Sequence, residues 1–166
     1  MLFKKKKKLS AHEQEMLGAG LNADRTIRVG TGFDADMHYF MVDGDAKKFA
    51  SYHKKTGLKV FNFDQLVDFE VQEDGNTITQ GNGAKTLAGG LAFGAVGALA
   101  GAVSDKKTKT VCEQLCVRIK LNDLQTPLLS YPLIITKTKK NSMHYQMAAD
   151  QVAELSATLE YIENNK

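Results

Sequence analysis

Leu66-Val67-Asp68-Phe69-Glu70-Val71-Gln72-Glu73-Asp74-Gly75-Asn76-Thr77-Ile78-Thr79-Gln80 decides how this chain is read. Val67, Phe69 and Val71 alternate with Asp68, Glu70 and Gln72, the period of two that sends one face of a strand into a core and the other to solvent. Asp74-Gly75 follows, a pair that accepts the positive φ of a tight hairpin turn, and Asn76 to Gln80 is the returning strand.

Upstream, Leu58 to Phe63 reads as a further strand, and Met37 to Val42 with Lys47 to His53 flank Asp43-Gly44-Asp45 as another hairpin. Downstream lie a strand at Val111–Leu121 and another at Leu128–Thr136, joined through Asn122-Asp123 and Thr126-Pro127. Pro132 cannot donate to a ladder, so this last strand is expected at an edge or with a bulge. The count reaches about seven strands. Before them, Ser10-Ala11-His12-Glu13 has capping-box spacing for a short helix that ends by Gly18 or Gly20, and residues 22–33, with Gly30 and Gly32, read as a connector. At the end, Tyr145, Ala148, Val152, Leu155, Leu159 and Ile162 recur every three or four residues, one apolar stripe of a helix expected to pack on the chain's own sheet.

A chain of 166 residues with 43% hydrophobic and 25% charged residues is long enough for one self-sufficient core. Its net charge of +3 is too small for a nucleic-acid partner to be expected, and the excess sits in Lys4, Lys5, Lys6, Lys7 and Lys8 and in Lys137, Lys139 and Lys140. The lysine run reads either as a solvated tail or as a contact for an anionic surface. It is followed by Leu9-Ser10-Ala11-His12 rather than by the apolar stretch of a secretory signal, so a cytoplasmic protein is expected.

Cys112 and Cys116 fall within the Val111–Leu121 pattern, on the face opposite Leu115, Val117, Ile119 and Leu121. On one continuous strand their Cα atoms would be about 13 Å apart at roughly 3.3 Å per residue, too far for a direct disulfide or for one zinc ion.

Several short strands closed by one amphipathic helix resemble a pleckstrin-homology-like (PH-like) domain. The run Val60-Phe61-Asn62-Phe63-Asp64-Gln65-Leu66-Val67-Asp68-Phe69-Glu70-Val71-Gln72-Glu73-Asp74-Gly75, then a Gly/Ala-rich segment, then Tyr145 with its helix, is similar to small bacterial and phage proteins carrying such a module, often beside a zinc ribbon or a SHOCT domain. The resemblance covers roughly residues 35–163 and implies an α+β fold: a PH-like antiparallel sheet or barrel, a C-terminal amphipathic helix and a Gly/Ala-rich insertion at 84–104. On this reading residues 1–33 form a basic tail, short helix and connector, and 34–166 the domain. No cysteine quartet for a zinc ribbon is present, and only Asn164, Asn165 and Lys166 follow the helix pattern, so roles conferred by those extra modules are not carried over.

The segment from Leu87 to Val103 carries no charge and is largely glycine and alanine. Gly90, Gly94, Ala98 and Ala102 recur every four residues, as do Gly97 and Gly101, the small-residue spacing that lets helix backbones approach closely. Leu91, Phe93 and Leu99 supply apolar bulk. A helix here would be about 26 Å long, short of a hydrocarbon core, and its glycines disfavour an isolated helix in water. The segment is expected to be covered by its own domain, by a second copy or by a bilayer.

Asp34, Asp36 and His38 would share one strand face, a metal-cluster spacing for which surface turn chemistry is the alternative, and no metal site is expected. His12, His53 and His144 form no ligand-spaced pair, and Gly30-Thr31-Gly32 and Gly81-Asn82-Gly83 are too short for a dinucleotide fingerprint and read as turns. Phe61, Phe63 and Phe69 sit in strand patterns and are expected in the core rather than on a base-stacking platform. No nucleophile elbow, phosphate loop or convergent set of titratable residues is visible, so neither an enzyme nor a cofactor is expected. The sequence therefore points to a non-enzymatic binding or scaffold module that self-associates through the Gly/Ala segment or binds another protein. The alternatives are a peripheral membrane protein using Lys4–Lys8 and the apolar insertion, and, from the phage resemblance alone, a protein that sequesters a host defence component.

Overall fold

The computed structural model describes residues 10–30, 37–81 and 110–166. Helix α1 spans Ala11–Gly18, and strands follow at Arg25–Val29 (β1), His38–Asp43 (β2), Lys48–His53 (β3) and Gly57–Asn62 (β4). After a 3-10 turn at Phe63–Gln65 come Leu66–Glu73 (β5), Asn76–Gln80 (β6), Val111–Cys112 (β7), Leu115–Leu121 (β8), Leu128–Ile134 (β9) and Thr138–Lys139 (β10). Helix α2, Met143–Asn164, ends the fold.

All described strand pairs are antiparallel. One sheet has the order β1-β2-β3-β4 and a second the order β6-β5-β8-β9, while β10 pairs with β7. The fold is α+β and PH-like, and the two sheets are not closed into a barrel. The hairpins follow from their turn residues: Asp74 and Gly75 adopt φ of 49° and 79°, both positive as the two-residue turn needs. In the other hairpin the Asp43 carboxylate accepts the N–H of Ala46 at 2.9 Å and that of Asn22 at 2.9 Å.

Between the sheets lies one core built from the inward faces of both, with Phe40, Phe49, Phe63, Phe69, Leu115 and Ile119 fully buried. Phe61, Phe63 and Phe69 belong to it as expected, although Phe63 stands in the 3-10 turn rather than in a strand. Helix α2 completes it: Tyr145, Ala148, Val152, Leu155, Leu159 and Ile162 are all buried. The helix packs against β1 of the first sheet and against β5 and β9 of the second. Pro132 lies in β9, an edge strand, beside a register shift where Leu115 pairs with Ile134 and Cys116 with Pro132, so both devices that accommodate a strand proline are used.

Three sequence readings are corrected. Residues 22–33 are not only a connector: Arg25–Val29 is β1, whose Ile27 and Val29 enter the main core, and the flanking glycine hid a five-residue strand with inward β-branched residues. Val67 does not share the inward face of Phe69 and Val71: a bulge between Leu66 and Asp68 turns Leu66 in and leaves Val67 exposed. The pattern around the cysteines is not one strand. Asp74 Oδ1 accepts the N–H groups of Glu113 at 2.8 Å and Gln114 at 3.0 Å, at the break that separates β7 from β8, and both thiols are buried.

Helix α1 forms from its capping box, the Ser10 N–H donating to Glu13 Oε2 at 2.7 Å. It covers the outer face of the first sheet, where Met16 and Leu21 join Met41, Ala50 and Tyr52 in a second, smaller cluster. The His12 ring stacks on Tyr39 at 3.9 Å between centroids, and Glu15 Oε2 accepts the N–H of Leu58 at 3.1 Å. Burial lowers the His12 pKa below its ordinary 6.5, with Glu13 acting in the opposite sense. The unfolded chain therefore binds more protons below that pH. The stability that neutral His12 supplies is complete above its unfolded pKa and is lost as pH falls through it towards the lower folded value. The protection factor of the Leu58 amide is expected to fall as pH drops below the ordinary 6.5 of a histidine. In His12→Gln that pH dependence should flatten.

Candidate functional site: a cleft beside helix α2

The β2–β3 turn is held from several sides. Asp43 is fixed by the Ala46 and Asn22 amides, which keep its carboxyl below the usual carboxylate range. Asp24, just ahead of β1, accepts the N–H of Gly44 at 2.6 Å. Across from the turn runs the C-terminal half of α2, tied to β1 by Arg25 and Glu154 at 2.8 Å. Thr158 uses its hydroxyl inside the helix, donating to the Glu154 carbonyl at 2.9 Å. Tyr161 stands half exposed with its ring edge towards Phe63, centroids 6.3 Å apart.

Between these parts lies a cleft of about 280 Å³. Its wall combines the apolar surfaces of Val42, Ala157 and the Tyr161 ring with Asp24 and Arg25. Gly44 sets its width, because a Cβ there would lie 3.1 Å from Asp24 Oδ2 and 3.2 Å from the Tyr161 hydroxyl. Its lining thus carries one carboxylate, which the Gly44 amide engages, and one guanidinium, which pairs with Glu154. The arrangement can bind and orient a ligand.

A buried polar network lies towards the other end of α2. Glu73 continues the inward alternation of Phe69 and Val71, which brings a carboxylate to the core side of β5. Tyr145 donates its hydroxyl to Glu73 at 2.7 Å, and Lys140 pairs with the same carboxylate. Burial, then the negative charge of Glu73, pushes the neighbouring Cys112 thiol up to about 12. Burial likewise raises Cys116. Both thiols are therefore protonated at neutral pH and unsuited to act as nucleophiles.

The described residues that flank the Gly/Ala segment sit at opposite ends of α2. Gly81 lies beside Glu163 in the last turn, its N–H donating to the Phe69 carbonyl at 2.8 Å. The Thr110 carbonyl accepts the N–H of Lys140, just ahead of the N-cap Ser142, at 3.0 Å. A helix of 22 residues separates these points by a length of about 33 Å.

The segment's own candidates, Gly90, Leu91, Phe93, Gly94, Gly97, Ala98, Leu99, Gly101 and Ala102, lie outside the described residues, as do Lys4–Lys8, Asp34 and Asp36. His38 is described and faces His53 on the adjacent strand, rings stacked at 4.4 Å, with Tyr131 edge-on at 5.4 Å. The sequence reading did not bring these two histidines together. The register of the β2–β3 hairpin places residue 38 opposite 53, a pairing obtainable by counting outward from the turn. Among the described residues no group of three or more His, Cys, Asp or Glu is placed to hold a metal ion, and no helix is long and apolar enough to cross a membrane. The cleft itself left no sequence signal, since Arg25 and Glu154 are 129 positions apart.

A family model described as "Glycine zipper containing PH domain" matches residues 31–149. No curated protein and no solved structure matches the chain.

Replacing Tyr145 by Phe removes one partner of a buried carboxylate and keeps the ring. The variant is expected to lose about 1–3 kcal/mol of stability in denaturant titrations.

Proposed function

The chain belongs to the family of glycine zipper containing PH domains, and from that premise we propose that it is a non-enzymatic scaffold module that joins copies of itself through the small-residue positions of residues 87–103. The observation that carries this reading is the spacing of Gly90, Gly94, Ala98 and Ala102, with Gly97 and Gly101, inside the matched range. Helices bearing a small residue at every fourth position pack backbone against backbone, and each glycine makes the same helix poor when alone. Partnership then supplies the stability that propensity withholds. PH-like domains are generally binding modules, and two thiols held protonated by burial fit a chain whose work is contact rather than chemistry.

A second reading has its own observation. Five successive lysines, Lys4–Lys8, acting together with an uncharged apolar segment would let the chain lie on an anionic membrane, at about 1 kcal/mol per lysine close to the surface. The two readings separate in one experiment, sedimentation of the full chain with and without anionic vesicles. Self-association predicts a mass that rises with protein concentration without lipid and falls towards the monomer in Gly94→Leu. A strictly monomeric chain that pellets only with vesicles would replace the first reading by the second.

A further inference from the structure

The outward side of α2 is apolar at both ends. Met143 is 80% exposed, Met147 51% and Tyr161 49%, and Ala157 is exposed as well. Counted from Met143, the other three stand about one, four and five helical turns along, so all share one face, opposite the buried stripe. Asp150 and Glu154 lie between the two ends, held by Gln146 at 3.1 Å and by Arg25 at 2.8 Å. At the Tyr161 end the face runs into the cleft of about 280 Å³. The carboxylate and the guanidinium of that cleft are both engaged, which leaves the surfaces of Val42, Ala157 and Tyr161 to an apolar occupant.

The chain carries such an occupant past this face. Gly81 sits by the last turn of α2 and Thr110 just ahead of its N-cap, about 33 Å away, so residues 82–109 run from the C-terminal end of α2 back to its N-terminal end. A helix over residues 87–103 would cover about 26 Å of that distance. The six peptide steps ahead of it reach about 20 Å, enough to pass around a helix about 10 Å across, and the seven after it reach about 23 Å. Such a helix has two different sides. Gly90, Gly94, Ala98 and Ala102 share one, while Phe93, Val96, Ala100 and Val103, at intervals of three and four, share the other.

We propose that residues 87–103 dock as a helix along the outward face of their own α2, antiparallel to it, with Phe93 in the cleft beside Tyr161 and Val103 against Met147. Phe93 and Val103 are as far apart in sequence as Ala157 and Met147, so both ends can be covered at once. The contact removes exposed methionine and tyrosine surface from water and gives a glycine-rich helix the packing it needs to form. Its glycine side points away from α2 and stays open to a second copy. The inference goes beyond the self-association reading and does not rest on it.

Two double variants of the full chain test it, Phe93→Cys with Ala157→Cys and Val103→Cys with Met147→Cys, each oxidised mildly after circular dichroism has shown it folded. Cys112 and Cys116 are buried and protonated, so the introduced thiols react first. Both pairs are expected to close within one chain, giving a monomer on a non-reducing gel with the bond located by peptide mapping. A control pair, Gly94→Cys with Ala157→Cys, has one thiol on the far side of the segment and is expected to close at least about tenfold more slowly. Disulfide-linked dimers in place of the internal bonds would seat the segment on a second copy and overturn the inference. Pairs that stay open, or a control that closes as fast, overturn it too. A second measurement needs no new cysteine: peroxide should oxidise Met143 and Met147 at least about tenfold more slowly in the wild-type chain than in F93D/V103D, whose charges unseat the segment. Equal rates would contradict the docking. All these readouts are taken on single chains, so a Gly94→Leu variant whose mass is unchanged would sink the self-association reading and leave this one standing.

Discussion

Everything in this fold depends on one helix being shared by two sheets. The apolar stripe of α2 is completely buried at Val152, Leu155, Leu159 and Ile162, and the surface that covers it comes from β1 on one side and from β5 and β9 on the other. Burying a valine, leucine or isoleucine side chain is worth about 1.5–3 kcal/mol, so four such positions outweigh any single polar contact nearby. Polar ties then fix the helix at several levels. Tyr145 meets Glu73, the Gln151 amide both accepts from and donates to the backbone of Gly30, and Glu154 meets Arg25. Gly30 has a φ of 121°, a conformation that favours glycine, so the chain leaves β1 in a direction the helix can hold.

The same helix organises what the molecule presents to others. Its last turns form one wall of the cleft, and its two ends lie beside Gly81 and Thr110, where the chain enters and leaves the Gly/Ala segment. The cleft and the ends of the described chain that flank the segment are thus referred to one helix. A PH-like fold does not select its own ligand; partner choice lies in what is attached to the scaffold. In this chain the attachments are a small-residue spacing and a lysine run.

Much of the architecture was legible because it rests on short-range chemistry. Asp74-Gly75 and Asp43-Gly44 announced their hairpins, Ser10 with Glu13 announced α1, and the three-four spacing from Tyr145 to Ile162 announced α2. What escaped depends on partners distant in sequence. Strand β1 was masked by a neighbouring glycine, and the break between the two cysteines is imposed by Asp74 from another hairpin. Glu73 was not singled out, although its parity with Phe69 and Val71 places it inward. The cleft is assembled from the start of β1, a turn and a helix that only the folded chain brings together.

Equilibrium urea unfolding of Leu155→Ala tests the shared helix most directly. Leu155 is fully buried at the helix centre, and the five tyrosines, in a chain without tryptophan, report tertiary structure alongside far-ultraviolet circular dichroism. One transition, coincident by both probes and weakened by about 2–5 kcal/mol, is the expected result. A helical signal lost at lower urea than the sheet and tyrosine signals, with the latter unmoved from wild type, would show that the sheets stand without the helix and would contradict the account.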